Sequence, residues 1–109
     1  MCGITGILSP NRQIPLRDLK DLNDNISHRG PDDEGYFCDD KISLGHRRLS
    51  ILDLSDLGKQ PLSYQKGDKE VVITYNGEIY NHMDIRNQLE VEGGVFHWRG
   101  YSDTETLLV

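Results

Sequence analysis

Val71-Val72-Ile73-Thr74-Tyr75, followed at once by Asn76-Gly77, is the strongest strand signal in the chain: a run of β-branched residues and an aromatic, ended by a pair that breaks a ladder. Beyond it, Asn81 stands where it can cap a helix with apolar positions at Ile85 and Leu89, ended by Gly93-Gly94. Val95-Phe96-His97-Trp98 then reads as another strand. Ser102-Asp103-Thr104-Glu105 is a capping-box pattern and predicts a helix start ahead of Thr106-Leu107-Leu108-Val109. Before it, Cys2-Gly3-Ile4-Thr5-Gly6-Ile7-Leu8 reads as a short strand that pins the N-terminus in a sheet. Pro15, with Leu16, Leu19, Leu22 and Ile26 at helical spacing, predicts a helix over residues 16–26. Ser27-His28-Arg29-Gly30-Pro31-Asp32 breaks that helix, and residues 35–38 and 42–44 form a hairpin through Asp39-Asp40-Lys41. The alternation is mixed α and β, without internal repeats.

The 109 residues, 36% hydrophobic and 28% charged, fit one soluble globular unit. A formal net charge of −6 argues against a nucleic-acid partner, which would need clustered excess Lys and Arg. No apolar run approaches the ~20 residues that span a bilayer, and Met1-Cys2-Gly3-Ile4 lacks the segments of a signal peptide. A cytoplasmic protein with no membrane partner is expected. There Cys2 and Cys38 stay thiols. A last helix of about two turns gains little without further packing, so the chain is expected to be a truncation of something longer.

Position makes Cys2 the first candidate for chemistry. Removal of Met1 is expected ahead of a small second residue and leaves a thiol and a free α-amine on one residue. With reference pKa values of about 7.7–8.0 for the amine and about 8.5 for the thiol, the amine, directly or through a water, can take the thiol proton near neutrality. The bland alternative is a small buried residue in a first strand. Acyl transfer also needs donors where charge develops, and Asn76-Gly77 offers a side-chain amide and a backbone N–H; the same pair is an ordinary turn signal. An amino-acid substrate needs a cation for its carboxylate and an anion for its ammonium, and Arg48 and Asp103 are available. Otherwise His46-Arg47-Arg48 is a solvated basic stretch, and Asp103 complements the positive end of the helix it precedes.

Met1-Cys2-Gly3-Ile4-Thr5-Gly6-Ile7, His28-Arg29-Gly30-Pro31-Asp32, Gly45-His46-Arg47-Arg48-Leu49-Ser50-Ile51-Leu52-Asp53, Gln60-Pro61, Tyr75-Asn76-Gly77-Glu78-Ile79-Tyr80-Asn81 and Ser102-Asp103-Thr104-Glu105 follow one another along the chain. In that order they resemble the glutaminase domain of glutamine-hydrolysing asparagine synthetases, a class II glutamine amidotransferase domain. The resemblance implies an α+β fold, the N-terminal-nucleophile hydrolase four-layer αββα sandwich. Residues 1–109 would be its first part, incomplete at the C-terminus and without the synthetase domain. It implies Cys2 as nucleophile and Asn76 and Gly77 as the oxyanion hole. Arg48 is implied as the ligand of the glutamine carboxylate, Ser50, Ile51 and Leu52 as backbone lining the pocket, and Glu78 and Asp103 as holders of the α-ammonium. Arg29-Gly30 is implied as a loop shaping the pocket, while Arg47 has no catalytic role and is expected in solvent.

The resemblance further implies L-glutamine as substrate and a homodimeric parent. Its synthetase domain would use the released ammonia with ATP and Mg2+ to amidate aspartate through an aspartyl-adenylate, for asparagine biosynthesis. No Gly-x-x-x-x-Gly-Lys loop occurs in this chain, so ATP and Mg2+ are assigned to that other domain. A related amidotransferase acting on a sugar, peptide or polysaccharide-linked acceptor is the alternative, and a non-catalytic binding module a third. The isolated fragment is expected to have little or no glutaminase activity, since a domain cut partway exposes sheet edges. Asp32-Asp33-Glu34 and Asp39-Asp40 do not match a calcium loop and read as solvated acidic turns. His28, His46, His82 and His97 lack zinc-ligand spacing, so no metal site is expected. Trp98 and Tyr101 read as core or edge packing.

Overall fold

A computed structural model describes residues 1–50 and 56–109. The chain runs β1 (Gly3–Leu8), α1 (Leu16–Asp24), a short 3₁₀ turn (Ser27–Arg29), β2 (Asp33–Cys38), β3 (Ile42–Arg48), a second 3₁₀ turn (Asp56–Gly58), β4 (Leu62–Lys66), β5 (Lys69–Ile73), α2 (His82–Val91) and α3 (Asp103–Leu108). It is a mixed α and β fold with antiparallel sheets. One sheet has the order β1-β3-β2 and the other pairs β4 with β5. No helix among the described residues is long and apolar enough to cross a membrane.

The predicted hairpin forms and is longer than its apolar residues suggest. β2 pairs with β3 from Cys38↔Ser43 to Asp33↔Arg48, and Asp39 closes the turn by accepting from the Lys41 and Ile42 N–H groups at 2.8 and 2.7 Å. On the other edge β1 pairs with β3 from Gly3↔Arg47 to Leu8↔Ile42. Strand β3 is therefore central, and its side chains alternate between two faces. α1 lies over the face that carries Gly45 and Arg47: a Cβ on Gly45 would meet Asn23 Oδ1 at 3.0 Å, and Arg47 reaches Asp24 at 3.7 Å.

Helix α1 follows Pro15 as expected but stops at Asp24, because Asn25 turns its N–H and Nδ2 back onto the Asp21 carbonyl. Ile26 leaves the helix and packs on Gly3. The buried positions are Leu19, fully covered, and Asn23, while Leu22 is exposed. Asn23 holds its place by polar contact, taking the Thr5 hydroxyl at 3.1 Å and donating to the His46 carbonyl at 3.2 Å.

β4 has no counterpart in the sequence reading. It pairs with β5 through Gly67-Asp68, where Gly67 has φ +60°, a conformation other residues adopt at a cost. β5 ends at Ile73, two residues short of Tyr75, because the Tyr75 peptide turns to side-chain partners instead. α2 starts after Asn81, but the Asn81 side chain makes no capping bond; at the other end Gly93, φ +96°, and Gly94 return their N–H groups to Glu90 and Leu89.

Residues 95–98 are not a strand. Phe96 and Trp98 stack with ring centroids 5.2 Å apart, Trp98 Nε1 donates to Glu90 at 2.9 Å, and the Arg86 guanidinium sits 4.1 Å from the Trp98 ring centre. The segment is fastened to α2 by side chains, so Trp98 is packing as expected, whereas Tyr101 is exposed. α3 is capped by Ser102, which accepts from the Glu105 N–H at 3.2 Å. Glu105 does not reach back to Ser102 as a full capping box would. It takes the Arg99 and Gly100 N–H groups at 2.6 and 2.9 Å and faces Arg86 at 3.5 Å.

Gly35 in β2 lies against the Gln60 carbonyl, where a Cβ would overlap backbone oxygen. Gly35→Ala should therefore destabilise by about 1–3 kcal/mol or more, read as a lower urea midpoint. Gly67→Asn, at a turn with open space around it, should move the midpoint far less.

Candidate active site

The sheet and helices bring four distant segments to one cavity of about 320 Å³. Cys2 comes from the residue just before β1, and His46, Arg48 and Ser50 from β3 and its exit. Asn76, Gly77 and Glu78 come from the chain after β5, and Asp103 from the start of α3. Thus Cys2, Arg48, Ser50, Asn76, Gly77, Glu78 and Asp103, singled out from sequence, share one cavity wall. Ile51 and Leu52 lie outside the described residues.

Cys2 is half-buried, with Sγ 3.2 Å from the Leu49 N–H that donates to it and 3.5 Å from the Leu49 carbonyl. Arg29 Nε donates to the Cys2 carbonyl at 3.2 Å, which ties the Arg29-Gly30 loop to the Cys2 backbone, although neither residue lines the cavity. Gly30 is required there by close approach, since a Cβ would overlap the Arg47-Arg48 peptide. Cys38, on the far end of β2, is exposed and distant from this wall.

Alternation along β3 separates two neighbouring arginines. Arg48 is 6% exposed and lines the cavity. Arg47 points to the opposite face and is not in solvent as expected: its side chain is 14% exposed and bonds Glu34 at 2.7 Å. The basic stretch is therefore buried, not solvated, and the acidic turn is likewise engaged. Asp32 accepts from the Ser50 N–H at 2.8 Å, and Asp33 pairs with Lys59 at 3.2 Å. Burial pushes the Asp33 carboxyl up, but the Glu34 N–H, Lys59 and Arg48 outweigh it and hold it below its ordinary value.

Asn76-Gly77 is not a tight hairpin turn, because neither residue has positive φ. A Cβ at Gly77 would meet the far end of the Tyr75 side chain, its hydroxyl oxygen at 2.5 Å, and the ring would have to move to admit it. Asp103 is buried, with Oδ2 taking the Ile79 N–H at 2.8 Å and Oδ1 the Thr104 N–H at 2.9 Å. It stands in the first turn of α3 and also lines the cavity.

Several lining residues were missed. His46 stands two residues before Arg48, so strand period alone puts both on one face; Gln60, Tyr80 and Thr104 carry no local signal. His46 is 1% exposed and its Nε2 lies 3.2 Å from the Tyr75 carbonyl. Burial, helped by the nearby Arg48 charge, lowers its pKa against the opposing pull of the Tyr75 carbonyl and Asp33. His46 is then a neutral donor to Tyr75. A histidine held below its ordinary value binds its proton more readily in the unfolded chain, so it costs nothing above about pH 6.5 and removes stability as pH falls below it. Denaturation midpoints should drop between pH 7.5 and 5, and His46→Gln should flatten that drop.

A family model described as a glutamine amidotransferase domain matches residues 1–109. The chain is similar to asparagine synthetase (glutamine-hydrolyzing) 1 of Bacillus subtilis, 44% identical over 112 aligned positions that cover 99% of this chain and 17% of the relative. It is 38% identical to the putative asparagine synthetase (glutamine-hydrolyzing) 2 of Methanocaldococcus jannaschii, over 99% of this chain and 23% of the relative. Asparagine synthetase (glutamine-hydrolyzing) 2 of Arabidopsis thaliana is 41% identical over 83% of this chain, which is 15% of that relative. The chain thus spans less than a quarter of the length of these relatives.

Proposed function

Since the chain belongs to the glutamine amidotransferase domain family, we propose that it hydrolyses the side-chain amide of L-glutamine with Cys2 as nucleophile. The observation that carries this is the shared cavity, in which a thiol, a buried arginine, two carboxylates and an amide line one wall. The Asn76 side chain has no hydrogen-bond partner among the described residues, so its donors are uncommitted. Met1 borders the same cavity, and its removal would free the Cys2 α-amine beside the thiol.

In the proposed reaction the amine takes the thiol proton, directly or through a water, and Sγ attacks the amide carbon. Asn76 Nδ2 and the Gly77 N–H donate to the oxygen as it gains charge. The C–N bond breaks with return of the proton to nitrogen, ammonia leaves, and a glutamyl thioester remains. Water then attacks the thioester, giving glutamate and the thiol. Arg48 would hold the glutamine carboxylate, Glu78 and Asp103 its ammonium, and the backbone at Ser50, Ile51 and Leu52 the rest of the substrate.

We read residues 1–109 as the first part of a class II domain with the four-layer N-terminal-nucleophile sandwich. The longer protein would pass ammonia to a synthetase domain for ATP-dependent amidation of aspartate. The length of the relatives supports this, as do Val71, Val91 and Leu107, which stay at least half exposed.

In the protein as the cell makes it, Cys2→Ala should abolish glutamine-dependent ammonia release, and a glutamine-analogue electrophile should label Cys2 and not Cys38. Full activity in Cys2→Ala would overturn the assignment. Asn76→Ala should lower kcat by about 10²–10³. Arg48→Gln should raise KM, whereas Arg47→Gln should leave KM in place and lower the urea midpoint.

A further inference from the structure

We propose that Gln60 is a positioning residue for this reaction, setting the spacing between the oxyanion donors and Asp103 through its side-chain amide. The inference rests on the glutaminase function proposed above. Gln60 is 8% exposed and borders the cavity without belonging to either arm. Its Oε1 accepts from the Tyr75 N–H at 2.6 Å, and its Nε2 donates to Thr104 Oγ1 at 3.1 Å. Thr104 adjoins Asp103, whose Oδ2 takes the Ile79 N–H at 2.8 Å.

These contacts close a ring. From Tyr75 the chain runs through Asn76, Gly77 and Glu78 to Ile79, crosses to Asp103 and Thr104, and returns through Gln60 to Tyr75. The three residues proposed to face the substrate amide and ammonium are therefore tied at both ends, and Gln60 spans the gap between the ends. The base of its side chain is fixed as well, because its backbone carbonyl lies against Gly35 with no room for a Cβ. His46 holds the other side of Tyr75 through its carbonyl, so both backbone polar groups of the residue before Asn76 are engaged.

The chemistry of the ring requires a carboxamide. The Tyr75 N–H needs an acceptor and the Thr104 oxygen is supplied with a donor, and a carboxamide presents both on one plane. Methionine, similar in shape, supplies neither, and the buried N–H would be left unpaired. A reacting geometry displaced by about 1 Å can lose on the order of a hundredfold in rate, so loosening the ring should reach kcat through Asn76.

The test uses the full-length protein, with competent sites counted by titration of Cys2 with 6-diazo-5-oxo-L-norleucine. Per titrated site, Gln60→Met should lower kcat for glutamine hydrolysis by about tenfold to a hundredfold. Thr104→Val, which removes only the outer anchor, should lower it by about threefold to tenfold. In an Asn76→Ala background the effect of Gln60→Met should shrink to about threefold or less, since the donor it positions is gone. A merely structural Gln60 would reduce the number of titratable sites and leave kcat per site unchanged, or lose the same factor in both backgrounds; either result overturns the proposal. If Gln60→Met yields no titratable site, an unchanged kcat in Thr104→Val overturns it. Activity retained in both Cys2→Ala and Asn76→Ala would instead remove the assignment of the reaction to this cavity, and with it this inference.

Discussion

Everything at the site depends on β3 being covered on both edges and both faces while carrying charge. Moving a guanidinium out of water costs several kcal/mol unless it is paired, and this strand buries two in succession. Strand period sends Arg47 to the α1 face, where Glu34 and Asp24 meet it, and Arg48 to the cavity. One arginine is thus consumed by the architecture and its neighbour is presented to the cavity. A slip of β3 by one residue against β1 and β2 together would exchange them.

A third guanidinium, Arg86, does comparable work behind the cavity-lining start of α3. Arg86 on α2 donates to the Gly100 and Ser102 carbonyls at 2.7 and 2.8 Å and to the Thr106 hydroxyl at 2.7 Å, with Glu105 alongside. Glu105 in turn gathers the Arg99 and Gly100 N–H groups. The loop entering α3 is shaped by one ion pair that satisfies backbone groups no sheet takes up, and Asp103 inherits its place from that loop.

This explains which features could be read in advance. The hairpin at Asp39, the cap at Ser102, the start of α1 after Pro15 and the glycine end of α2 are local events, decided within a few residues, and the sequence signals for them hold. Seven of the cavity residues, Cys2, Arg48, Ser50, Asn76, Gly77, Glu78 and Asp103, were legible because whole motifs carry them. What escaped is set by partners distant in the chain. Asn23 fills a core position through polar bonds that apolar spacing cannot announce. Residues 95–98 have strand composition, yet α2 claims Trp98, on which Phe96 stacks. Arg47 is charged, and only the opposing Glu34 and Asp24 make its burial tolerable. Asn76-Gly77 has the composition of a tight turn, yet neither residue takes the positive φ that such a turn needs.

The pairing ladder of β1 begins at Gly3, opposite Arg47, and Met1 already borders the cavity. Residue 2 is therefore held at a fixed height above the sheet floor, with no slack between it and the first rung. For protein engineering this makes the front of the chain a poor attachment point. A purification handle or fused reporter placed ahead of Met1 would start its linker at the cavity, whereas the tip of the β4–β5 hairpin at Gly67, with open space around it, can carry cargo at a distance.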